Sequence, residues 1–525
     1  MARPVIEVVP RIAFDRRRRL FVALSDAFDV DIVAGPGSSA RISGRVVLGG
    51  DVGRFELPTL LFGESTVVSD MTATIHFSES SQVPVSFRGW ALSDRTIGSA
   101  ALEDPGQATV LARVADRPVW TTEHRNGIRL DRSAVAPEEL ADSQTLLGRF
   151  TPEDFFGLLP LVHFLRTIDR PDAWSAPPLM ASFIMDDPNL RSKRYGYLDF
   201  AELALQPFHT SVSTIPLDGW YIRPGVADLF RSHPESLSLM IHGNNHTLHE
   251  LDDGRGDEAR LRMLSQSLNR ARRIASRSQV PIAEVMAAPH GRCSEESALD
   301  MASIGYESLC ISRPFPWLQT PPGTVPLAGW FPADTSAPQP VLPRIPISAT
   351  HQTLPLRAFL GQPIIVYGHH WDLADQPDVL HRWAADVARL GDVVWASVGS
   401  ISRRMYSWRT DGETVLIRPH TRVVDVDLPE AARRVAVEAP PGPGYELVEA
   451  VSSGSGVTTK KRSEAEFSLG GGGSVTIRLV PEGVIDPRRV PAPTPRPWPV
   501  IRRALTEARD RSQPQRDSMR QRVGR

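Results

Sequence analysis

Apolar and polar positions alternate differently in different parts of the chain. Between residues 177 and 405, apolar runs of strand length alternate with amphipathic helical patterns, such as the one over 258–276, which carries leucines on one face and arginines on the other. Regular alternation of strands and helices is typical of parallel α/β folds. We therefore expect the fold class to be α/β, with a distorted (β/α) barrel at 177–405.

The regions on either side of the expected barrel have shorter apolar runs, broken by Gly, Ser, Asp and Pro. The pattern over residues 1–110 predicts a β-rich N-terminal domain, and that over residues 111–176 predicts a connecting region. Residues 406–485 predict a small β-sandwich. Residues 486–525 are rich in Pro and Arg, which predicts a disordered basic tail.

The composition of the chain limits the classes of function that can be expected for this protein. A chain of 525 residues is too long for one core, so several domains are expected. The net charge of −2 gives no reason to expect nucleic acid or an anionic membrane as a partner, and two cysteines exclude a disulfide framework. With no recognisable secretory signal or membrane span, we expect a cytoplasmic protein that acts on a small molecule or a glycan. The oligomeric state stays open.

Two polar clusters each follow an apolar, strand-like run. Asp186 and Asp187 follow one run, and His242 and His246 follow another about 55 residues later. One carboxylate and two imidazoles can hold a divalent ion with a position left for water, and the second carboxylate is then free to act as a base. The pattern predicts a hydrolytic metal site, with zinc expected and cobalt, nickel or manganese able to replace it.

Each cluster also has a simpler interpretation. Adjacent aspartates before proline are common in turns and helix N-caps, and the two histidines alone could lie in an exposed loop. Three further polar clusters follow apolar runs in the same region, however, and in a barrel such strand ends converge on one face. They begin at Pro289-His290-Gly291, at Arg313 and at His369-His370.

The order of these motifs resembles the polysaccharide deacetylase family, the carbohydrate esterases with a NodB-type homology domain. The resemblance covers roughly residues 178–405. It rests on the Asp-Asp pair, the His-x-x-x-His spacing, a Pro-x-Gly turn, an x-x-x-x-Trp segment ending at Trp317, and a histidine after an apolar strand.

The resemblance implies a role for each matched residue. Asp187, His242 and His246 would bind the metal, and Asp186 would be the general base. The other implied roles are a general acid from the pair His369/His370, an oxyanion contact from the peptide N–H of His290, and a wall of the substrate pocket from Trp317. Tyr195, which follows the first motif, either lines the pocket or packs in the core.

Two positions depart from the family pattern. The arginine that usually orients the base falls on Ala287, and the usual aspartate of the Trp-containing motif falls on Arg313. We therefore expect Arg313, or else Arg292, to contact Asp186, and Asp372 to be the partner of the acid histidine.

These features together predict a metal-dependent hydrolase that removes an acyl group, in particular acetyl, from a sugar or glycoconjugate. One alternative is a hydrolase of the same kind that acts on a non-carbohydrate amide. Another is a catalytically weak glycan-binding protein, against which the presence of Asp186 argues, because a mere metal binder does not need that carboxylate.

Overall fold

The computed structural model describes most of the chain. The described residues are 3–35, 42–49, 56–63, 72–103, 106–168, 173–219, 222–312, 327–335, 339–374, 376–438, 445–452, 457–468, 473–481 and 483–523. None of the helices among these residues combines the length and the apolar character that crossing a membrane requires.

The N-terminal part is a mixed nine-stranded sheet in the order β2-β1-β3-β4-β9-β8-β7-β5-β6. Its elements are β1 (Val5–Val9), α1 (Arg11–Asp15), α2 (Arg18–Phe28), β2 (Asp31–Ala34), β3 (Ile42–Leu48), β4 (Thr59–Phe62), β5 (Ala73–Phe77), β6 (Ala91–Asp94), β7 (Thr109–Val114), β8 (Arg117–Arg125) and β9 (Ile128–Ser133). Strands β7 to β9 belong to this sheet, so it extends well into the region predicted to be a connection at 111–176. Along the sheet, the neighbours from β2 through β1, β3 and β4 to β9 pair in parallel. The neighbours from β9 through β8, β7 and β5 to β6 pair antiparallel.

The middle of the chain forms a parallel eight-stranded sheet in the order β17-β16-β15-β14-β13-β10-β19-β18, with β20 beside β10. Its elements are α3 (Leu159–Thr167), β10 (Met180–Asp186), β11 (Arg194–Tyr195), β12 (Leu198–Asp199), α4 (Phe200–Leu203), β13 (Thr210–Thr214), α5 (Pro224–Ser232), β14 (Leu237–His242), α6 (Asp257–Ser278), β15 (Ile282–Ala287), α7 (Glu295–Ile304), β16 (Ser308–Ile311), β17 (Val341–Pro343), β18 (Ile345–Pro346), α8 (Thr353–Phe359), β19 (Ile364–Gly368), α9 (Val379–Ala388), β20 (Val394–Trp395) and α10 (Val398–Arg403).

The two edges of this sheet meet at Arg344. Strand β17 pairs with β16 at one edge, strand β18 pairs with β19 at the other, and Arg344 is the one residue between them. The sheet therefore closes on itself, and the predicted distorted (β/α) barrel is confirmed.

Alternate residues of β10 face opposite sides of the sheet, as strand geometry requires. Met180 and Ile184 belong to the apolar cluster inside the barrel, whereas Phe183 and Met185 pack in the large outer core. That outer core also includes Trp120 of the N-terminal sheet, so the sheet and the barrel share one apolar interior. By the same alternation, Asp186 at the strand end faces the barrel mouth.

A pair of four-stranded sheets follows the barrel and has an apolar core of its own. Their strands are β21 (Tyr406–Asp411), β22 (Thr414–Pro419), β23 (Val423–Leu428), β24 (Arg434–Val437), β25 (Tyr445–Ser452), β26 (Val457–Lys461), β27 (Glu466–Ser468) and β28 (Gly473–Pro481).

The C-terminal region differs from the disordered tail predicted at 486–525. Residues Pro497–Val523 form a long helix, α11, that packs against the barrel. The buried side chains that face the barrel are charged rather than apolar, namely Arg503, Glu507 and Asp510. A prediction that counts apolar residues cannot detect a helix that is held in this way.

Candidate metal and active site

Asp187, His242 and His246, the three predicted metal ligands, come together at the carboxyl ends of β10 and β14. The Oδ1 atom of Asp187 lies 3.5 Å from Nε2 of His242 and 3.3 Å from Nε2 of His246. One potential ligand atom from each residue lies within 4.8 Å of the others. The geometry therefore brings one carboxylate and two imidazoles to a single point.

The two separations from Oδ1 of Asp187 fit a tetrahedral metal ion. Ligand atoms that lie about 2.0–2.1 Å from a tetrahedral zinc ion are about 3.3 Å from one another. In addition, Oδ1 of Asp187 and Nε2 of His242 are buried and have no hydrogen-bond partner among the described residues. Buried polar atoms normally have partners, so a cation between these atoms is the simplest way to satisfy both.

His242 is held in the tautomer that metal binding needs. Its Nδ1 lies 2.9 Å from the carbonyl oxygen of Ala287, which can only accept, so Nδ1 carries the proton and Nε2 presents its lone pair. Burial lowers the pKa of His242 to about 4, although the charge of Asp186 opposes this effect. The ring is therefore neutral at physiological pH, as a metal ligand must be.

The loop between the two histidines is folded around one buried carboxylate. The backbone N–H groups of Asn244, Asn245 and His246 all donate to Glu250, at 2.8, 2.9 and 3.0 Å. Gly243 begins this loop with a φ of +62°, and a Cβ atom there would lie 2.5 Å from Oε2 of Glu250. The glycine is thus required both for its backbone conformation and for space.

Asp186 is held beside the three ligands as an ionised carboxylate. Nη1 of Arg344 donates to both of its oxygens, at 2.9 and 3.3 Å, and the hydroxyl of Ser213 donates to Oδ1. Burial would raise the pKa of Asp186, but the pKa lies well below its usual range, and the charge of Arg344 is the largest effect that opposes burial. Asp186 therefore remains a proton acceptor at neutral pH.

Arg344 supplies the cation that the sequence led us to expect from Arg313 or Arg292. Arg292 instead pairs with Asp252 at 2.9 Å, and Arg313 lies outside the described residues. Arg344 also donates to the carbonyl oxygen of Ala288 at 2.9 Å, and its side chain is 1% exposed. The signal that could have revealed it is a single charge within the apolar, proline-rich run 341–347, because a buried charge needs a partner.

His369 is the histidine of the pair at 369–370 that faces the two carboxylates. Burial lowers its pKa, but a hydrogen bond with Asp372 and the charges of Asp186 and Asp187 raise the pKa above its usual value overall. The ring stacks on Trp371 at a centroid distance of 4.2 Å. His369 therefore lies next to the site with a pKa above its usual value, and its Nδ1 is 3.8 Å from Oδ2 of Asp372.

His370 and Tyr195, two other candidate site residues, lie on the side of α11. The ring of His370 is fully buried against Tyr195, and its Nε2 is 3.9 Å from Asp510. The hydroxyl of Tyr195 donates to Asp510 at 3.2 Å and accepts from Arg503 at 3.3 Å. Both side chains thus contact α11. Of the two interpretations open for Tyr195, its buried position favours core packing, while a pocket role stays a prediction.

A cavity of about 200 Å³ opens beside the three ligands. Its walls include Asp187, His246, His290 and Trp371. The ring of His290 lies 5.0 Å from that of His246, so this residue is at the site, as predicted. Trp317, the other predicted wall residue, lies outside the described residues.

Another wall of this cavity comes from α11, which the sequence did not lead us to expect at the site. Arg502, Arg503, Thr506 and Arg509 line it. Arg503 is buried and donates to the carboxylate of Asp218 at 2.6–3.1 Å. The barrel mouth is therefore completed by a segment that lies far from the barrel in sequence.

Comparisons with known proteins rest on structure alone. No protein-family model matches the sequence, and no curated protein is significantly similar to it. Among solved structures, a carbohydrate deacetylase called Agd3 is similar with 10% identity and a TM-score of 0.47, over 91% of this chain and 98% of the other.

Two further solved structures are similar to less than half of this chain. A polysaccharide deacetylase from Mycobacterium smegmatis has 12% identity and a TM-score of 0.30, over 45% of this chain and 93% of its own. A family 4 carbohydrate esterase from Streptomyces lividans has 10% identity and a TM-score of 0.25, over 41% and 89%. Since all three TM-scores are below 0.5, we base the function on the side chains at the barrel mouth.

Proposed function

We propose that this protein is a metal-dependent hydrolase that removes an acyl group, in particular acetyl, from a sugar or glycoconjugate. One observation carries the proposal. Asp187, His242 and His246 converge with ligand spacing, and Asp186 stands beside them, held ionised by Arg344. A site that only bound metal would not need the second carboxylate or its buried cation.

A divalent ion at such a site supplies Lewis-acid chemistry and makes water acidic enough to attack a carbonyl at neutral pH. The chain's own residues supply the proton transfers. Asp186 accepts the proton of the attacking water, because Arg344 and Ser213 keep it ionised and fix its orientation. His369 donates a proton to the departing nitrogen or oxygen, and its raised pKa suits that role.

The surroundings of the site support an acyl group as the part of the substrate that enters. The cavity of about 200 Å³ is small, and its walls combine the imidazole of His290 with the indole of Trp371, which is 37% exposed. The peptide N–H of His290 is our candidate for the oxyanion contact. The carbohydrate part of the proposal rests on the motif order that resembles polysaccharide deacetylases.

The test is acetate release by purified, zinc-loaded protein from a panel of acetylated compounds. The panel should contain N-acetylhexosamine oligomers, O-acetylated sugars and, for the alternative substrate class, N-acetylated amines without a sugar. We expect release from the sugars and a fall of about 10²- to 10⁴-fold in Asp186→Asn, with metal content unchanged. Zinc-loaded protein that releases no acetate from any compound, or an Asp186→Asn variant with full turnover, would contradict the proposal.

A further inference from the structure

Two adjacent arginines of α11 contact the backbone of two metal ligands. Nη2 of Arg503 donates to the carbonyl oxygen of Asp187 at 2.7 Å, and Nη1 of Arg502 donates to the carbonyl oxygen of His246. These contacts join residues more than 250 positions apart in the chain. The helix thus reaches the first and the second metal-binding motif at the same time.

Both contacted ligands have an unusual backbone conformation. Asp187 has a φ of +80° and His246 a φ of +53°, in the left-handed region that residues other than glycine rarely adopt. Such conformations persist only where the surrounding structure holds them. For Asp187, the N–H group donates to the carbonyl oxygen of Ser213 at 3.2 Å, and the Arg503 contact fixes the carbonyl group on the other side.

Arg503 is itself held firmly. Its side chain is 7% exposed and pairs with that of Asp218, which is 5% exposed. The guanidinium also donates to the hydroxyl of Tyr195. Asp218 lies in the loop that follows β13, and the backbone N–H of Leu217 beside it donates to the carbonyl oxygen of Asn244 in the second motif. The arginine is therefore a fixed donor, not a mobile surface charge.

We propose that Arg502 and Arg503 are positioning residues for the metal site, so that α11 is part of the active site. They act through Asp187 and His246, whose side chains they aim at the ion by fixing the backbone carbonyls. This inference rests on the metal site of the proposed function. It assigns no direct contact with metal or substrate to either arginine.

The test measures metal binding without substrate. Zinc affinity is obtained by competition with a chelator, and the visible spectrum of bound cobalt reports the coordination geometry. We expect Arg502→Met and Arg503→Met to weaken zinc binding by about 10- to 100-fold, the usual effect of losing a group that orients a ligand. The cobalt spectrum should change in both variants.

Arg516→Met is the matched control. Arg516 lies on the same helix and carries the same charge, and it donates to the hydroxyl of Ser512 and the carbonyl oxygen of Arg509 within that helix. We expect wild-type zinc affinity and an unchanged cobalt spectrum in this variant. An equal loss in Arg516→Met would mean that only the charge of the helix matters, which would overturn the proposal.

A double variant separates positioning from stability. Arg503→Met leaves Asp218 buried without its cation and lowers the melting temperature, whereas adding Asp218→Asn removes the unpaired charge and restores much of it. The carbonyl oxygen of Asp187 still lacks its donor, so zinc affinity should stay low. Recovery of zinc affinity together with the melting temperature would overturn the positioning role. If wild-type protein binds no zinc, the metal site and this inference both fail.

Discussion

Arg344 binds the carboxylate of Asp186 from the point where the barrel closes. The residue joins β17 to β18, and its Nη1 lies 2.9 Å from Oδ2 of Asp186 across the barrel mouth. Its guanidinium also lies over the ring of Tyr367 at 4.0 Å. The residue at which the sheet closes is therefore also the residue whose side chain orients the base.

Replacing Arg344 should affect both the pH dependence of activity and the stability. In Arg344→Met, burial would raise the pKa of Asp186 without the opposing charge, so the acidic limb of the kcat/KM profile should move to higher pH. Loss of one partner of a buried pair should cost about 3–5 kcal/mol of unfolding free energy. Both effects can be measured, by a pH–rate profile and by denaturant unfolding.

The control for this prediction is Arg292→Met, because Arg292 pairs with Asp252 away from the base. Its acidic limb should coincide with that of the wild type. If the acidic limb shifts in this control, or does not shift in Arg344→Met, then Arg344 is not what keeps Asp186 ionised.

Removing the metal should lower the melting temperature, and this effect should require the predicted ligands. Zinc at about 100 times its Kd should stabilise the folded protein by about 2.7 kcal/mol, and a chelator should reverse that gain. His242→Ala and His246→Ala should lose the zinc-dependent rise in a thermal melt. His233→Ala, which changes a histidine paired with Glu235, should keep it. Zinc stabilisation that survives in both ligand variants would place the ion elsewhere.

Replacing Gly243 with alanine should lower the stability of the protein much more than replacing Gly254. Both glycines have a positive φ, +62° and +69°, but only at Gly243 would the added Cβ clash, lying 2.5 Å from Glu250 and 2.6 Å from Pro289. Gly254→Ala should cost about 1–2 kcal/mol from backbone strain alone. Gly243→Ala should cost more and should also weaken zinc binding, since the loop carries His246. Equal costs in chemical denaturation would contradict the role assigned to the crowded loop.

Truncation after Arg489 should be harmful, contrary to what a disordered tail would predict. Removing α11 exposes Asp218 and Tyr195 and leaves the carbonyl oxygen of Asp187 without the donor Arg503. We expect a lower melting temperature and weaker zinc binding than in the full chain. A truncated protein with an unchanged melting temperature and zinc affinity would show that the helix contributes neither packing nor positioning.

Local patterns predicted the parts of the site that each follow their own strand. Asp187 and His242 stand directly at strand ends, where apolar runs in the sequence stop, and the order of the motifs then indicated the ligand set. The barrel followed from alternating periodicities in the same way. The sequence therefore predicted the site residues that lie within a few positions of the end of their own strand.

Contacts between distant segments were missed for a physical reason. Arg344 lies 158 positions from Asp186, and Arg503 lies 285 positions from Asp218. Such pairs satisfy charges that are buried only after the barrel has closed, and no periodicity in the sequence records them. The same applies to α11, whose buried contacts with the barrel are ion pairs and hydrogen bonds.

The position of α11 in the chain determines when the proposed metal site can be completed during synthesis. All barrel strands have left the ribosome well before Arg502 and Arg503 are made, since the sandwich sheets lie between them. At about 5–20 residues per second, the stretch from 405 to 502 takes about 5–20 seconds to translate. A nascent barrel can therefore close around Arg344 before Arg502 and Arg503 are made and donate to the carbonyl groups of the two ligands.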